Sequence, residues 1–405
     1  MSSQVATPCA VPLNAPTFND DEINAAIAVL QSGQVTMSTR CLAFEEKFSK
    51  YMHISNAVFV NSGSSANLLA FFGLINPQCP MINNKQRVTP GDEVIVPAVT
   101  WSTTIWPIIQ AGLVPVFVDC DPHTLQMRPE SVKKALSSRT KVVCPVHVLG
   151  NGVNMDFILN FSDENKLWVV EDTCESLGTQ YNTHYLGTLG DIGTYSFFFS
   201  HHITTIEGGM IVSNHEDLAE LFRCQRAHGW IRQLKNKTAI ENKYPDIDSR
   251  FLFVNTGFNL RPTEINAAFG LLQLDKLKIF NLTRADIANT WTRAFTNEIE
   301  NQYFTPMQIT PNITATWFGY PILCRDQSLR IQLQSHLENN GIETRPIICG
   351  NIARQPVFQS ITHRIPDILS GADKIMKNGL FWGSHPFMTK TQINHVIEVV
   401  KGFFQ

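Results

Sequence analysis

The stretch LWVVEDTCES, residues 167–176, decides the fold, because a short apolar run ends at Asp172 and passes directly into polar residues. Three runs of the same kind precede it: EVIVPA at 93–98, VPVFVD at 114–119 and KVVCPVHV at 141–148. Unbroken, Val-rich runs are typical of strands that are buried on both faces of a sheet. The four runs therefore predict strands of one mainly parallel sheet.

Helix-like segments lie between these runs. In PESVKKALSS at 129–138 and MDFILNFSDENK at 155–166, apolar residues recur near helical spacing and polar residues occupy the opposite face. Alternation of strands and helices is typical of a doubly wound sheet. The predicted fold class is therefore α/β, with a large domain at residues 1–275.

The pattern changes after residue 260. Residues 262–299 predict one long helix or two in succession, 317–324 predict a strand, and 328–340 predict a further helix. These elements indicate a smaller C-terminal α/β domain at residues 276–405. The polar, weakly patterned segment at 235–250 predicts a loop.

Composition excludes several classes of protein. The chain has 405 residues, of which 43% are hydrophobic and 17% charged, as expected for a globular protein with two domains. Its net charge of −3 and scattered basic residues argue against a nucleic-acid partner. There is no apolar run long enough for a membrane-spanning helix, and the first residues do not resemble a secretory signal. We therefore expect a cytoplasmic protein that does not enter a membrane.

The cysteines predict neither a disulfide framework nor a metal site. They are odd in number, widely spaced and form no C-x-x-C pair, which favours a reducing compartment. The nine are Cys9, Cys41, Cys79, Cys120, Cys144, Cys174, Cys224, Cys324 and Cys349.

The segment NSGSSANLLAFFGL at 61–74 is a candidate phosphate site. Gly63 allows a tight turn, Ser64 and Ser65 suit the N-cap position of a helix, and apolar residues then recur at helical spacing. A helix start with free N–H groups beside a glycine can bind phosphate. An ordinary capped helix has the same pattern, so this motif alone leaves both interpretations open.

Asp172 is a candidate for binding a protonated ring nitrogen. It follows a buried strand, at the edge where open α/β sheets bind their ligands. A carboxylate in that place keeps a pyridinium protonated and the ring electron-accepting. The other interpretation is a helix-capping aspartate. Glu175 would be a second polar contact or a charge in the first turn of a helix.

The segment TYSFFFSHHITTIEGGMIVS at 194–213 resembles the cofactor-binding segment of the DegT/DnrJ/EryC1/StrS sugar aminotransferases. The family pattern is Ser-Phe-x-x-x-Lys-x-x-x-x-x-Glu-Gly-Gly, and the chain matches it except at His201, which replaces the lysine. Four further segments match in family order: NSGSSANLL at 61–69, VPAVTWSTT at 96–104, VEDTCES at 170–176 and GFNLRPTEINAAFGLLQL at 257–274. The resemblance implies fold type I of the enzymes that depend on pyridoxal 5′-phosphate (PLP), and a homodimer with shared active sites.

His201 decides which reaction the resemblance implies. The family lysine binds the cofactor covalently through its amine, which an imidazole cannot do, so we expect PLP or pyridoxamine 5′-phosphate (PMP) to be held non-covalently. Histidine can still act as a general base near neutral pH. The segments 226–232, 343–351 and 377–385 resemble a branch of the family that removes the C3 hydroxyl of GDP-4-keto-6-deoxy-D-mannose in colitose biosynthesis. This branch implies a nucleotide-diphosphate keto-sugar as substrate and glutamate as the amino donor that regenerates PMP.

The resemblance also implies roles for single residues. His201 would be catalytic. Phosphate contacts would come from Gly63, Ser64 and Ser196, and from Asn259 toward the cofactor of the neighbouring subunit. Trp101 would stack on the pyridine ring, Asp172 would hold its nitrogen, and Glu175 would lie near its phenolic oxygen. The expected substrate contacts are Arg226, His228 and Arg345.

Three other interpretations stay open. An aminotransferase of the same family would need a lysine in the pocket. An inactive paralogue could bind the cofactor without turnover. A dehydratase that depends on an iron–sulfur cluster would need about four converging thiolates, whereas the region directly after His201 offers only Cys224.

Overall fold

A computed structural model describes residues 10–405, and residues 1–9, which include Cys9, lie outside the described part. The strands are β1 Asn56–Val60, β2 Glu93–Pro97, β3 Val114–Val118, β4 Thr140–Val143, β5 Trp168–Asp172, β6 Gln180–Tyr181, β7 His184–Tyr185, β8 Ile192–Ser196, β9 Gly209–Ser213, β10 Phe304–Pro306, β11 Ile313–Thr314, β12 Gly319–Cys324, β13 Thr344–Arg345 and β14 Gly379–Gly383. The α-helices are α1 Asp20–Ser32, α2 Thr39–Met52, α3 Gly63–Leu74, α4 Ser102–Gln110, α5 Pro129–Ala135, α6 Met155–Asn165, α7 Glu216–Arg226, α8 Lys237–Glu241, α9 Glu264–Ala294, α10 Thr296–Glu300, α11 Gln327–Asn339, α12 Ser370–Asn378 and α13 Lys390–Phe404.

A seven-stranded sheet forms the large part of the molecule. Its order is β1-β9-β8-β5-β4-β2-β3, and only β9 runs against the other six strands. The four strands predicted from apolar runs are β2 to β5, and all are adjacent in this sheet. β3 lies at its edge, where a backbone pair between Phe117 and Arg364 covers part of the exposed strand. The predicted doubly wound α/β class is confirmed.

The strand directions bring four chain segments to one edge of the sheet. β1, β2, β5 and β8 all run the same way, so the residues that follow each of them meet at the carboxyl edge. Asp172 is the last residue of β5 and Ser196 the last of β8, whereas Gly63 begins the helix after β1. Ligands of open α/β sheets bind at this edge.

A second, antiparallel sheet of four strands lies in the C-terminal part. Its order is β10-β12-β14-β13; α11 and α12 pack on it, and α13 packs on α11 and α9. The predicted helix at 262–299 is the pair α9 and α10. The boundary predicted between residues 275 and 276 falls inside α9, which packs on α1, α2 and α13, and it stays a prediction.

Two local predictions need correction. The helix at residue 63 is capped by Ser62, whose extended backbone lets its Oγ accept from the N–H of Ser65 at 3.0 Å, so Ser64 and Ser65 lie inside the helix. The segment predicted as a loop at 235–250 contains the short helix α8, where the N–H of Ile240 donates to the carbonyl of Asn236. No helix of the described residues is both long and apolar enough to cross a membrane.

Candidate active site

A cavity of about 550 Å³ opens at the carboxyl edge of the large sheet. Its size suits a cofactor or a drug-sized ligand. Seven of the site residues predicted from the sequence line it: Gly63, Ser64, Trp101, Glu175, Ser196, His201 and Arg345. The fold therefore brings most of the candidate residues to one place, although they lie as far apart in sequence as residues 63 and 345.

The start of α3 forms one wall of the cavity. The first N–H groups of a helix have no acceptor within the helix and can bind an anion. Gly63 lies so close to Ser196 that an added Cβ would be 2.5 Å from the Cβ of that serine. The start of α3, Ser64 and Ser196 thus face the cavity together, and the phosphate contacts predicted for them stay a prediction.

Asp172 is held under the cavity by a network of hydrogen bonds. Its carboxylate accepts from Asn67 Nδ2 at 2.9 Å and from Thr104 Oγ1 at 2.7 Å, while its other oxygen accepts from the N–H of Cys174. Asn67 in turn accepts from Thr194 Oγ1 at 2.6 Å. Asp172 is 4% exposed, and its carboxylate is oriented by α3, α4 and the backbone directly after β5, as a partner for one ligand nitrogen requires.

Glu175 follows Asp172 by three residues, and its side chain reaches the cavity. Its carboxylate accepts from the N–H of Leu149 at 3.0 Å. Burial, together with the negative charge of Asp172, raises the pKa of Glu175 to about 7, although the Leu149 N–H acts against the shift. Near neutral pH this group can therefore be either a hydrogen-bond donor or an acceptor toward a ligand.

His201 lies in the loop between β8 and β9. The loop is closed by hydrogen bonds from the Phe197 N–H to the Gly208 carbonyl and from the Thr205 N–H to the Phe197 carbonyl, both 2.9 Å. The His201 ring contacts the edge of Phe318, with ring centres 5.2 Å apart. Burial, and then the positive charge of Arg284, lowers the pKa of His201 to about 4. The imidazole is thus neutral near pH 7 and can accept a proton.

Arg226 does not lie in the cavity, and its predicted substrate contact needs correction. The side chain is fully buried beside α2 and β1, where it pairs with the carboxylate of Glu45 and donates to the carbonyl of Phe59 at 2.6 Å. Removing either partner of such a buried pair leaves an uncompensated charge. Arg226 therefore holds α7 against α2 and β1, and its side chain is not in a position to contact a ligand in the cavity.

His228 and Asn259 also lie outside the cavity. The His228 ring stands against Trp230 with centres 4.6 Å apart, and its backbone has a left-handed φ of 63°. Asn259 lies on the surface, where its side-chain oxygen accepts from Arg261 Nε at 3.0 Å. Their predicted roles toward substrate and toward the neighbouring subunit's cofactor stay predictions.

Several cavity residues were not predicted from the sequence. Phe318 and Phe381 lie in strand-like segments, but nothing in those segments tells which rings face a ligand. Leu13 comes from the amino-terminal segment, and its own backbone N–H donates to a carboxylate oxygen of Glu343 at 2.9 Å. Glu207 belongs to the family pattern and Cys174 to the segment after β5, but neither pattern predicts that these side chains line the cavity. Tertiary packing brings these residues to the cavity, and the local sequence pattern does not indicate that packing.

Known proteins match the chain over nearly its full length. The model of the DegT/DnrJ/EryC1/StrS aminotransferase family matches residues 16–401. A GDP-4-keto-6-deoxy-D-mannose 3-dehydratase from Escherichia coli O55:H7 is 37% identical over 395 residues, which are 96% of this chain and 99% of that protein. A dTDP-4-dehydro-2,6-dideoxy-D-glucose 3-dehydratase from Saccharopolyspora spinosa is 33% identical and covers 97% of this chain and 86% of that protein.

A solved structure has the same fold. The crystal structure of a GDP-4-keto-6-deoxymannose-3-dehydratase with a trapped PLP-glutamate geminal diamine matches with a TM-score of 0.89 and 36% identity. It covers 96% of this chain and 100% of that chain. The prediction of PLP fold type I is thereby confirmed.

Proposed function

Because the chain belongs to the DegT/DnrJ/EryC1/StrS aminotransferase family, we propose that it is a nucleotide-sugar 3-dehydratase. The proposed reaction removes the C3 hydroxyl of a nucleotide-linked 4-keto-6-deoxy sugar, and GDP-4-keto-6-deoxy-D-mannose is the first candidate substrate. The enzymes of this family depend on PLP, and PLP or PMP is the cofactor.

One observation carries this proposal. An imidazole, His201, lines the cavity at the position of the family lysine, and no lysine occurs among the described residues that line the cavity. Transamination in this family uses a lysine amine, whereas proton transfer needs only a general base. The site therefore keeps the group that moves protons and lacks the group that would attach the cofactor.

The residues of the cavity fit the cofactor. The α3 N-terminus, Ser64 and Ser196 would hold its phosphate, and Asp172 would keep its ring nitrogen protonated. Trp101 stands at the cavity with 56% of its surface exposed, where its indole would cover one face of the ring. When bound, the cofactor supplies an amine that captures the sugar ketone and a ring that accepts electrons.

His201 would move the protons of the reaction. Its neutral imidazole accepts a proton at a ring nitrogen and returns that proton to the C3 oxygen as the hydroxyl leaves. One residue can serve both steps, because it ends the first step in the protonated form that the second requires. The Phe198 and Phe318 rings contact the His201 ring edge to face, with centres 6.0 and 5.2 Å apart, and give it an apolar surrounding on this side of the cavity.

The substrate and the amino donor would enter from the open side. Arg345 is the one arginine among the described lining residues, and its half-exposed guanidinium suits a diphosphate or carboxylate oxygen. Glutamate is proposed as the donor that regenerates PMP, since a similar solved structure carries a PLP–glutamate adduct. In the free protein Arg345 pairs with Glu343, so binding would exchange one partner for another.

We also propose that two copies of the chain form a homodimer with shared sites. The residues Ile23, Ile27 and Leu30 lie four and three positions apart on α1 and are 42%, 43% and 59% exposed. Exposed apolar side chains on one helix face indicate a surface that another protein surface covers and removes from solvent. A second copy would cover it, and Asn259 of each copy would contact the cofactor phosphate of the other.

The direct test is product analysis. Purified protein is incubated with PLP, glutamate and GDP-4-keto-6-deoxy-D-mannose, and the product is weighed by mass spectrometry. The proposal predicts the loss of one oxygen atom from the sugar. Replacement of the ketone oxygen by an amino group would instead show an aminotransferase, and an unchanged substrate would show an inactive protein. The same assay with dTDP- and CDP-linked sugars identifies the nucleotide.

A further inference from the structure

The segment Thr316–Phe318 links the C-terminal part of the chain to both histidines of the β8–β9 loop. The Phe318 ring lies 5.2 Å from the His201 ring and 5.8 Å from the His202 ring, between centres. Thr316 Oγ1 is 3.2 Å from His202 Nε2. The orientation of His201 therefore depends on where this segment lies.

The backbone of the segment is strained and needs to be held. Trp317 has a positive φ of 25°, which is unfavourable for a residue with a large side chain. Its neighbours bond to the turn after β4, because the Thr316 N–H donates to the Gly150 carbonyl and the Phe318 N–H donates to the Leu149 carbonyl. The approach is close, since a Cβ at Gly150 would lie 2.4 Å from the Trp317 nitrogen.

Arg284 holds the segment from the opposite side. It lies on α9, is 2% exposed, and its guanidinium donates to the Phe318 carbonyl at 3.0 Å. Its Nε has no hydrogen-bond partner, and among residues 10–405 no carboxylate forms an ion pair with it. A buried cation without a counter-charge is costly, which argues that its charge serves the neighbouring site.

The charge of Arg284 acts on three buried or half-buried histidines. After burial, it is the largest cause that lowers the pKa of His201 and of His385, each to about 4, and it also lowers the pKa of His202. Burial lowers the pKa of Arg284 itself only to about 10, so the guanidinium stays protonated at neutral pH.

We propose that Arg284 is a positioning residue for the reaction: its hydrogen bond to the Phe318 carbonyl fixes the Phe318 ring against His201, and its buried positive charge acts on that imidazole. Burial of the imidazole acts in the same direction as the charge of Arg284. The charged and titratable groups that face the same cavity are Cys174, Glu175, Glu207 and Arg345. Glu175 and Glu207 would favour an imidazolium only when they are ionised, whereas the charges of Arg284 and Arg345 oppose one. The role of Arg284 in turnover rests on the proposed function, whereas its effect on His201 does not.

The test measures the protonation of His201 directly. The full chain, labelled with ¹⁵N-histidine, is titrated by NMR with and without PLP, and the His201 signals are identified by their absence in His201→Asn. The variants are Arg284→Met, which removes both charge and hydrogen bond, and Arg284→Lys, which keeps the charge. Arg293→Met, on the exposed face of the same helix, is the matched control.

The expected results differ between these proteins. In the wild type and in Arg293→Met, His201 stays neutral to below pH 5. In Arg284→Met the His201 midpoint rises, because the neighbouring positive charge is gone while burial of the ring remains, and Arg284→Lys remains near the wild type. In the dehydratase assay, kcat of Arg284→Met is lower than that of the wild type, and KM is little changed. The acidic limb of its plot of kcat against pH lies at higher pH.

Two results would overturn the inference. One is a wild-type His201 that titrates near its ordinary value of about 6.5, which can be read even if Arg284→Met fails to fold. The other is a folded Arg284→Met in which the His201 midpoint does not move. Because the NMR measurement needs no turnover, it separates this inference from the fate of the proposed function, which would fail on the product analysis alone.

Discussion

The two ionisable side chains at the centre of the cavity, His201 and Glu175, are both shifted toward their neutral forms. Burial lowers the pKa of the imidazole to about 4 and raises that of the carboxyl to about 7. A neutral imidazole can accept a proton, and a protonated carboxyl can donate a hydrogen bond to a ligand oxygen. The cavity is therefore prepared for proton transfer before any ligand enters it.

Replacing Glu175 by glutamine should change how stability depends on pH. The folded pKa is raised above the ordinary 4.5, so between about pH 4.5 and 7 the folded state holds a proton that the unfolded state has lost. Ionisation therefore costs the wild type stability as pH rises through that window, and Glu175→Gln escapes this cost. The variant should gain on the order of 1–3 kcal/mol relative to the wild type between pH 5 and pH 8.

The measurement is chemical denaturation of both proteins at pH 5, 6, 7 and 8. Glu130→Gln, which removes an exposed carboxylate from the first turn of α5, is the control and should show little dependence on pH relative to the wild type. A Glu175→Gln difference that stays constant across the series would contradict the assigned shift.

At the scale of single elements, the turn from β1 into α3 is the part on which cofactor binding depends most. Its helix start faces the cavity, and Gly63 leaves room for Ser196 to approach. The helix itself is apolar on all sides, as its buried position between the sheet and α4 and α7 requires. The proposed phosphate site thus lies at the start of a helix that is packed into the core of the fold.

The substitution Gly63→Ala should therefore weaken PLP binding. The new Cβ would meet the Cβ of Ser196 at 2.5 Å, so the helix start or the end of β8 has to shift. A loss of one or two phosphate hydrogen bonds predicts a dissociation constant that is about tenfold to a hundredfold higher. Gly402→Ala, on α13, is the control because nothing lies within 4 Å of its new Cβ. Equal PLP affinity in the two variants, measured by fluorescence titration, would contradict the proposed phosphate site.

The elements that could be predicted from the sequence are those whose own residues decide their structure. The Val-rich runs gave β2 to β5, and the long periodic segment after residue 260 gave α9 and α10. The cap at Ser62 was missed, since three serines around a glycine offer equivalent hydroxyls and only the backbone conformation selects one. Arg226 was misjudged because its partner Glu45 lies 181 residues away, a contact that no local pattern reveals.

At the scale of the whole molecule, the cavity joins parts that are distant in sequence. Leu13, Arg345 and Phe381 come from the amino-terminal segment and the C-terminal sheet, whereas His201 and Glu175 follow strands of the large sheet. A site of this kind exists only when both parts are folded together. The family resemblance predicted candidate reacting residues, but the walls of the cavity follow from the packing of the two sheets.

The shared-site dimer predicts that two defective variants restore each other. In a hybrid of His201→Asn and Asn259→Ala subunits, one of the two sites keeps both native residues, so dehydratase activity should return on mixing and exchange of subunits. Each variant alone is expected to have low dehydratase activity. His201→Asn lacks the group that transfers protons, and Asn259→Ala binds the cofactor less tightly at limiting PLP. Mixing His201→Asn with the double variant is the control and should restore nothing. No recovery in the first mixture, with hybrids detected by native mass spectrometry, would contradict shared sites.

The central claim is that an imidazole at residue 201 transfers protons where a lysine would bind the cofactor covalently. The most direct measurement compares the wild type with His201→Lys, both incubated with PLP, reduced with borohydride and weighed after denaturation, with dehydration assayed in parallel. We predict that the wild type carries no covalent cofactor and dehydrates the keto-sugar, whereas His201→Lys carries one covalent cofactor and dehydrates little. A covalent cofactor on the wild type, or a His201→Lys variant that dehydrates at the wild-type rate, would contradict the account.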